Sequence, residues 1–585
     1  MPQNYSPPLS LSQTTSQNFQ AMRKLTRLFL LVLILSAGGF YTSSPLGQRQ
    51  LVAPVSSSGG PLMPEQAAYD IKSYDLDLRI DPEAQTIKGA LTAHARILSP
   101  LNWFVLDLDP PLVVDSVDLV DSAGKSLNQL KFERREGKLW IAFPKTEKAG
   151  QEVWVRVAYG GKPRVAPRPP WVGGFAWSKT KSGEQWFTVT CQNDGADIWW
   201  PVKDHPSDKP DTADLHYTVP QPLVAVANGR LQSVVKNQDG TQTFNWHISQ
   251  PINNYSITLN VAPYKTIEDK YTSLAGGDMP ITFWVLPEDY EKGFEVVKQT
   301  KLYLRFFEEY LGPYPFRAEK VGIVHTNHLG MEHQTIIAYG STFKLNENGF
   351  DWLMLHELGH EWWANLVTAS DWRDFWIHEG FQSFMDTLYV EKLRGKEAYF
   401  KAMANRMAHL RNKQPVAPRE SRTTTQMYMA APDYVNSDGD IYGKGAAILH
   451  TLRFLIGEKP FFASLRRMAY PDPHMEKVTN GKQVHFATTD DFMHIAEKQS
   501  GAHLGWFFEV YLRQPKLPKL MTDKSDSQVT LHWDSPEGLP FPMPVEVQIG
   551  DTTKRYELAN GSVTIPVTAG QNVVVDPHSW ILKAQ

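Results

Sequence analysis

His356-Glu357-Leu358-Gly359-His360 sets two imidazoles four residues apart, with a glutamate directly after the first. On a helix, residues four apart share one face, one turn above the other. Both rings can then reach a single metal at about 2.0–2.1 Å. Glu357 is rotated by about 100° from His356 in helix geometry, so it sits beside the metal rather than on it. There it can take a proton from water. Asp351 stands where an N-cap belongs, and Trp352, Leu355, Trp362 and Trp363 supply apolar faces, so 351–367 reads as a helix. Two histidines leave the site incomplete, because catalytic zinc takes three protein ligands and keeps one position open. HExxH alone arises by chance in roughly a few per hundred chains of this length, so the third ligand carries the argument. Glu379, in Trp376-Ile377-His378-Glu379-Gly380-Phe381, follows His360 after eighteen intervening residues. That span holds a loop and a second helix packed back on the first. His378 competes for the same role, but two histidines and a glutamate are a known catalytic set.

HExxH, eighteen residues and a glutamate in a WxxEGF-like stretch resemble the gluzincin zinc aminopeptidase family, of the aminopeptidase N and leukotriene hydrolase type. Gly330-Met331-Glu332-His333 resembles the family's GxMEN motif, and Tyr442-Gly443-Lys444-Gly445 its YxKG motif. Cys191-Gln192, Trp199-Trp200-Pro201 and Asp204-His205-Pro206 resemble its substrate-domain segment. The similarity runs from about residue 67 to the end. It implies one Zn2+ per chain, held by His356, His360 and Glu379, with Glu357 as general base. It implies that Glu332 grips the free α-amine of a peptide, a charge pairing that rejects chains continuing upstream. Gln192 matches a second residue near that amine. Gly330 and Met331 would line the cleft beside the scissile peptide. Tyr442 would donate its hydroxyl to the developing oxyanion. Outside the resemblance, a lone glutamate or tyrosine reads as a solvated or structural residue. His333 stands where the motif has asparagine, Leu329-Gly330 occupies its usual second position, and His378 stands where the family often has asparagine. No large helical domain follows the last β region, which implies a short member with an open site.

The elements that must position these residues follow from periodicity. Tyr74, Leu76, Leu78 and Ile80 alternate with Asp75, Asp77 and Arg79; Leu91 to Ile97 and Val153 to Tyr159 repeat the period of two. Runs of this kind, broken by turns such as Asp81-Pro82, predict an antiparallel β domain over 67–263 with one buried face. The period then shifts: helices are expected at 290–311, 351–367, 379–394 and 441–457. These fall in 264–522, a mostly helical catalytic domain of the thermolysin-like kind that the resemblance implies. Alternation returns at Val529–Leu531 and Val545–Ile549, so 523–585 reads as a small β-sandwich. The fold class expected is multidomain α+β.

The remaining sequence bounds the function. With a net charge of -4, the chain lacks the basic excess of a general nucleic-acid binder. Cys191 is its single cysteine, so it has no internal disulfide, no cysteine-type zinc site and no CxxC pair. It reads as a buried structural thiol. Arg23, Lys24 and Arg27 precede an apolar run from Leu28 to Leu35, followed by Ser36-Ala37-Gly38-Gly39. Basic, apolar and small residues in that order predict an export signal within 1–45, either cleaved or kept as an anchor, with 46–66 as a linker. The expected location is periplasmic or secreted, and membrane contact is expected only through such an anchor. The expected partners are peptides with a free N-terminus. Two other functions share these residues: epoxide hydrolysis by the same metal, and a binding module descended from a peptidase. The first lacks that enzyme's closing domain, and the second sits poorly with a complete ligand set and base.

Overall fold

The computed structural model describes residues 57–428 and 440–584. The predicted export signal within 1–45, and most of the 46–66 linker, lie outside the described residues. No helix among the described residues is long and apolar enough to cross a membrane.

Residues 69–262 form a β-rich module. Its largest sheet has eight strands, in the order 230–236, 241–248, 212–220, 69–81, 86–97, 152–161, 112–120 and 126–129. Alternation works as expected on the central strand: Leu76, Leu78 and Ile80 are at most 2% exposed, while Asp75, Asp77 and Arg79 face solvent. The expected antiparallel character needs one correction. Tyr69–Asp81 pairs in parallel with Thr212–Pro220, from Ser73↔Thr212 to Arg79↔Thr218. A period of two reports which face is buried, not strand direction, and the long excursion between these strands permits a parallel return.

Residues 265–339 build a mixed five-stranded sheet that ends on two short strands, Gly330–Met331 and Ile337–Tyr339. Helix α1 (Tyr290–Leu311) interrupts it. The site helices follow: α2 (Trp352–Gly359), α3 (Trp376–Arg394), α4 (Thr424–Tyr428) and α5 (Gly443–Ile456). The Asp351 side chain caps α2 by accepting from Met354 N at 3.2 Å. α2 stops well short of the expected 367. Beyond Gly359 the chain turns, and Val367–Ala369 pairs in parallel with His485–Ala487. Ala364, with φ of 144°, takes the chain out of helical geometry before this pairing begins. Two three-stranded sheets between Lys519 and Val575 close the chain.

A short strap, residues 57–60, ties the β-rich module to α4. Ser58 N donates to Asn193 O at 3.3 Å, and Thr424 N donates to Ser58 O at 3.0 Å. Thr424 Oγ1 also reaches Asn193 O, at 2.6 Å. Gly59 has φ of 79°, and a Cβ there would lie 2.2 Å from Trp372 Cδ1, so no other residue fits.

Candidate metal centre and substrate cleft

The metal centre is built on two adjacent helices. His356 lies inside α2 and His360 at its C-cap, still four residues on, so both rings share one face. Glu379 lies in the first turn of α3. Gly359 lets the helices approach: a Cβ there would meet Gln382 Oε1 at 1.9 Å. His356 Nε2 and His360 Nε2 are 3.3 Å apart, and Glu379 Oε2 lies 3.7 Å from the first and 3.5 Å from the second. Donors around a tetrahedral ion bonded at about 2.0–2.1 Å sit roughly 3.4 Å apart, so the three atoms have zinc spacing. Glu379 Oε2 is buried and has no hydrogen-bond partner, as expected of an oxygen awaiting an ion. The far side of each ring is fixed. His356 Nδ1 faces Asp386 Oδ2 at 2.9 Å, and His360 Nδ1 faces Trp363 O at 2.7 Å, which leaves both Nε2 atoms for the metal. Asp386 is itself held by Trp352 Nε1 at 3.2 Å, Gln382 Nε2 at 3.0 Å and Arg406 Nη2 at 3.3 Å. Burial works to raise the Glu379 pKa, but His360 and His356 hold it well below the usual range.

Glu357 emerges next to this centre. Burial pushes its carboxyl up to about 8, against the pull of His356. Gly330 faces it closely: a Cβ there would lie 2.6 Å from Glu357 Oε1 and 2.7 Å from Leu353 Cδ1. Glu332, directly after the strand Gly330–Met331, is 2% exposed. Gln192 Nε2 and the Tyr255 hydroxyl, the latter at 3.1 Å, both donate to its Oε1. Ligand atoms of Glu332, Glu357 and His360 all lie within 4.8 Å of one another. Tyr442 precedes α5, which packs on α3 through the close approach of Gly380 and Gly445. Its hydroxyl donates to the Tyr428 hydroxyl at 3.1 Å, and its ring lies 6.3 Å from that of His356. Burial raises its pKa well above the usual value, so the phenol keeps its proton.

All nine site residues named from the sequence line one cavity of about 280 Å3: His356, Glu357, His360, Glu379, Glu332, Gln192, Gly330, Met331 and Tyr442. His378, the competing ligand, is elsewhere. Its Nε2 accepts from Ala369 N at 3.0 Å, and its ring packs on Trp372 and Phe375. His333 is fully buried, and neither ring nitrogen has a partner. Burial lowers its pKa and keeps it neutral. The peptide carbonyl of Glu332 is instead held by Asn365 Nδ2 at 3.1 Å. Sequence reasoning missed Asp386, Tyr255, Tyr428 and Trp171, the last of which lines the same cavity. Asp386 alone left a signal, lying seven residues after Glu379 on the same helical face.

A β-rich module that brings Gln192 and Tyr255 onto a buried carboxylate beside the His2Glu metal set of a helical module defines a gluzincin metallopeptidase. Comparisons agree. Residues 71–256 match the Peptidase M1 N-terminal domain, and residues 294–511 match the Peptidase family M1 domain. Glutamyl aminopeptidase of Bitis rhinoceros is 24% identical over 437 residues, 68% of this chain and 43% of that protein. Aminopeptidase N of Lactococcus lactis subsp. lactis is 26% identical over 182 residues, 31% of this chain and 20% of that protein. Among solved structures, an M1 zinc metallopeptidase of Deinococcus radiodurans bound to a Tyr-Ser-Ala substrate has a TM-score of 0.62 at 22% identity, covering 80% of this chain and 98% of that one. Legionella pneumophila aminopeptidase A in complex with aspartic acid gives 0.68 at 16% identity, covering 88% and 59%. This chain belongs to peptidase family M1. It spans less than half the length of the curated relatives named here.

Proposed function

We infer that this protein is a zinc aminopeptidase that removes N-terminal residues from peptides. The observation that carries the reading is Glu332: a buried carboxylate, gripped by Gln192 and Tyr255, within one residue's reach of Glu357 and the metal ligands. A free ammonium satisfies that carboxylate, whereas an upstream peptide has no charge to offer it and would have to pass through it. Zinc held by His356, His360 and Glu379 supplies Lewis acidity, making water more acidic and polarising a carbonyl. Glu357 takes the proton from the attacking water and passes it to the departing amine. Tyr442 donates its hydroxyl to the carbonyl oxygen as negative charge develops there. Glu332 fixes the register, so the peptide bond after the first residue lies against Glu357.

Beyond this machinery, the described cleft walls are uncharged: Pro170, Trp171, Asn193, Leu329, Trp352, Leu353 and Tyr428. An apolar or aromatic first residue suits such walls. The two C-terminal three-stranded sheets read as one β-sandwich, and the N-terminal extension as an export signal or anchor. The test uses aminoacyl chromogenic amides beside their N-acetylated forms. Cleavage restricted to free amines, led by Leu, Phe or Tyr amides, supports the reading. Equal cleavage of acetylated forms makes the protein an endopeptidase. No amide cleavage by zinc-loaded protein moves epoxide hydrolysis or a binding role to the front.

A further inference from the structure

The β-rich module has a second cavity, of about 260 Å3, that shares no lining residue with the substrate cleft. Asp107, Asp109, Asp197, Asp204, Glu136 and Lys138 are among its walls. Most of these aspartates are partnered. Asp109 pairs with Arg164 at 3.0 Å. Asp107 takes Lys138, the Gln66 amide at 2.6 Å and Asp204 N at 3.0 Å. Asp204 Oδ1 accepts from Ala196 N at 3.0 Å. Asp197 differs. It is 3% exposed, and its Oδ1 has no hydrogen-bond partner. A Cβ on Gly195 would lie 2.3 Å from Asp197 Oδ1 and 2.6 Å from Asp204 Oδ2. Two carboxylate oxygens from different residues therefore converge beside a backbone that only glycine keeps open, with φ of 103°.

The local charge does not balance. Asp107, Asp109, Asp194, Asp197 and Asp204 face Arg134, Lys138 and Arg164. Burial lowers the pKa of His205 on the same wall and keeps it neutral. Burial beside the other carboxylates pushes the Asp197 carboxyl well up and that of Asp204 up to about 6, so ionising both, five carboxylates against three bases, is costly without a counter-charge. A dication closes that deficit. Hard divalent ions bind carboxylate oxygens and complete their shell with water, for which this cavity has room. We propose that Asp197 and Asp204 form a structural binding site for a hard divalent cation, with Ca2+ the best match because it tolerates irregular oxygen geometry. The ion would pin the turn Ala196–Ile198, which begins three residues after Asn193 of the substrate cleft.

The test uses zinc-loaded full chain exchanged into calcium-free buffer. Equilibrium dialysis with elemental analysis should find one Ca2+ per chain in addition to zinc. CaCl2, but not KCl at matched ionic strength, should raise Tm by on the order of 5 °C at saturation. Asp197→Asn should lose both the bound calcium and the shift. Absence of calcium binding and of any Tm response in the unmodified protein overturns the proposal. So does an Asp197→Asn protein that keeps both the bound calcium and the full shift. The dialysis result on the unmodified chain decides the matter even if the variant folds poorly.

Discussion

The metal side and the amine side of the cleft are built in different ways. The metal side comes from two consecutive helices: His356 and His360 on α2, Glu379 and its supporting Asp386 on α3. The amine side is assembled from three distant segments, with Gln192 and Tyr255 from the β-rich module converging on Glu332. Hydrolytic chemistry therefore rests on local spacing, which one helix pair preserves. In the proposed reading, selection of a free N-terminus rests on how Gln192 and Tyr255 of the β-rich module meet Glu332. Damage to the first should remove turnover; damage to the second should change what is turned over.

The largest effect expected is on the metal side. Glu357→Gln should lower kcat by about 10^2–10^4-fold while zinc content stays at one per chain, as read by steady-state kinetics beside elemental analysis. Retained turnover would break the assignment of the base. On the amine side, Glu332→Gln should cost about 10^2-fold in kcat/KM for free-amine substrates and erase most of their advantage over acetylated ones. If that advantage survives, the amine anchor lies elsewhere. Asp386→Asn sharpens the comparison inside the metal side: zinc affinity, measured by chelator competition, should fall about 10–100-fold without altering the free-amine preference.

The smallest effect expected concerns the junction. Lys320 is buried, its Nζ donating to Ala227 O and Gly229 O and lying over Trp246 and Trp284. Burial lowers its pKa from 10.5 to about 7. The unfolded chain therefore binds the extra proton more tightly than the folded one. The favourable contribution is complete above the unfolded value and is lost as pH falls through about 7. Tm should rise between pH 7 and pH 10, and Lys320→Met should flatten that part of the curve. An unchanged slope in the variant would assign the rise to other groups.

The same contrast explains what was legible in the sequence. His356, His360 and Glu379 carry their geometry in their spacing, because helix phase converts sequence distance into position. The alternation of Leu76, Leu78 and Ile80 gave the buried face of their strand for the same reason. It could not give direction, hence the unforeseen parallel pairing of residues 73–79 with 212–218. The end of α2 was hidden because nothing in Trp362-Trp363 marks the φ of 144° at Ala364 or the pairing of Val367–Ala369 with a strand more than a hundred residues downstream, His485–Ala487. Tyr255 and Tyr428 left no local sign, since each reaches the cleft only through tertiary packing. Glu332, Gln192 and Tyr442 were found only through the resemblance to known motifs. Their neighbours in sequence carry no periodic signal of what they face.

The strap at residues 57–60 has a consequence for the order of assembly. Its contact with Thr424 spans 366 positions of the chain. Closing a loop of that length early is entropically unfavourable, and contacts so far apart form late. During synthesis the strap leaves the ribosome long before the residues it must grip exist. The rim of the cleft beside Asn193 and α4 then latches late. A nascent chain halted before residue 424 would carry the residues of its metal helices but neither the α5 they pack against nor its finished doorway.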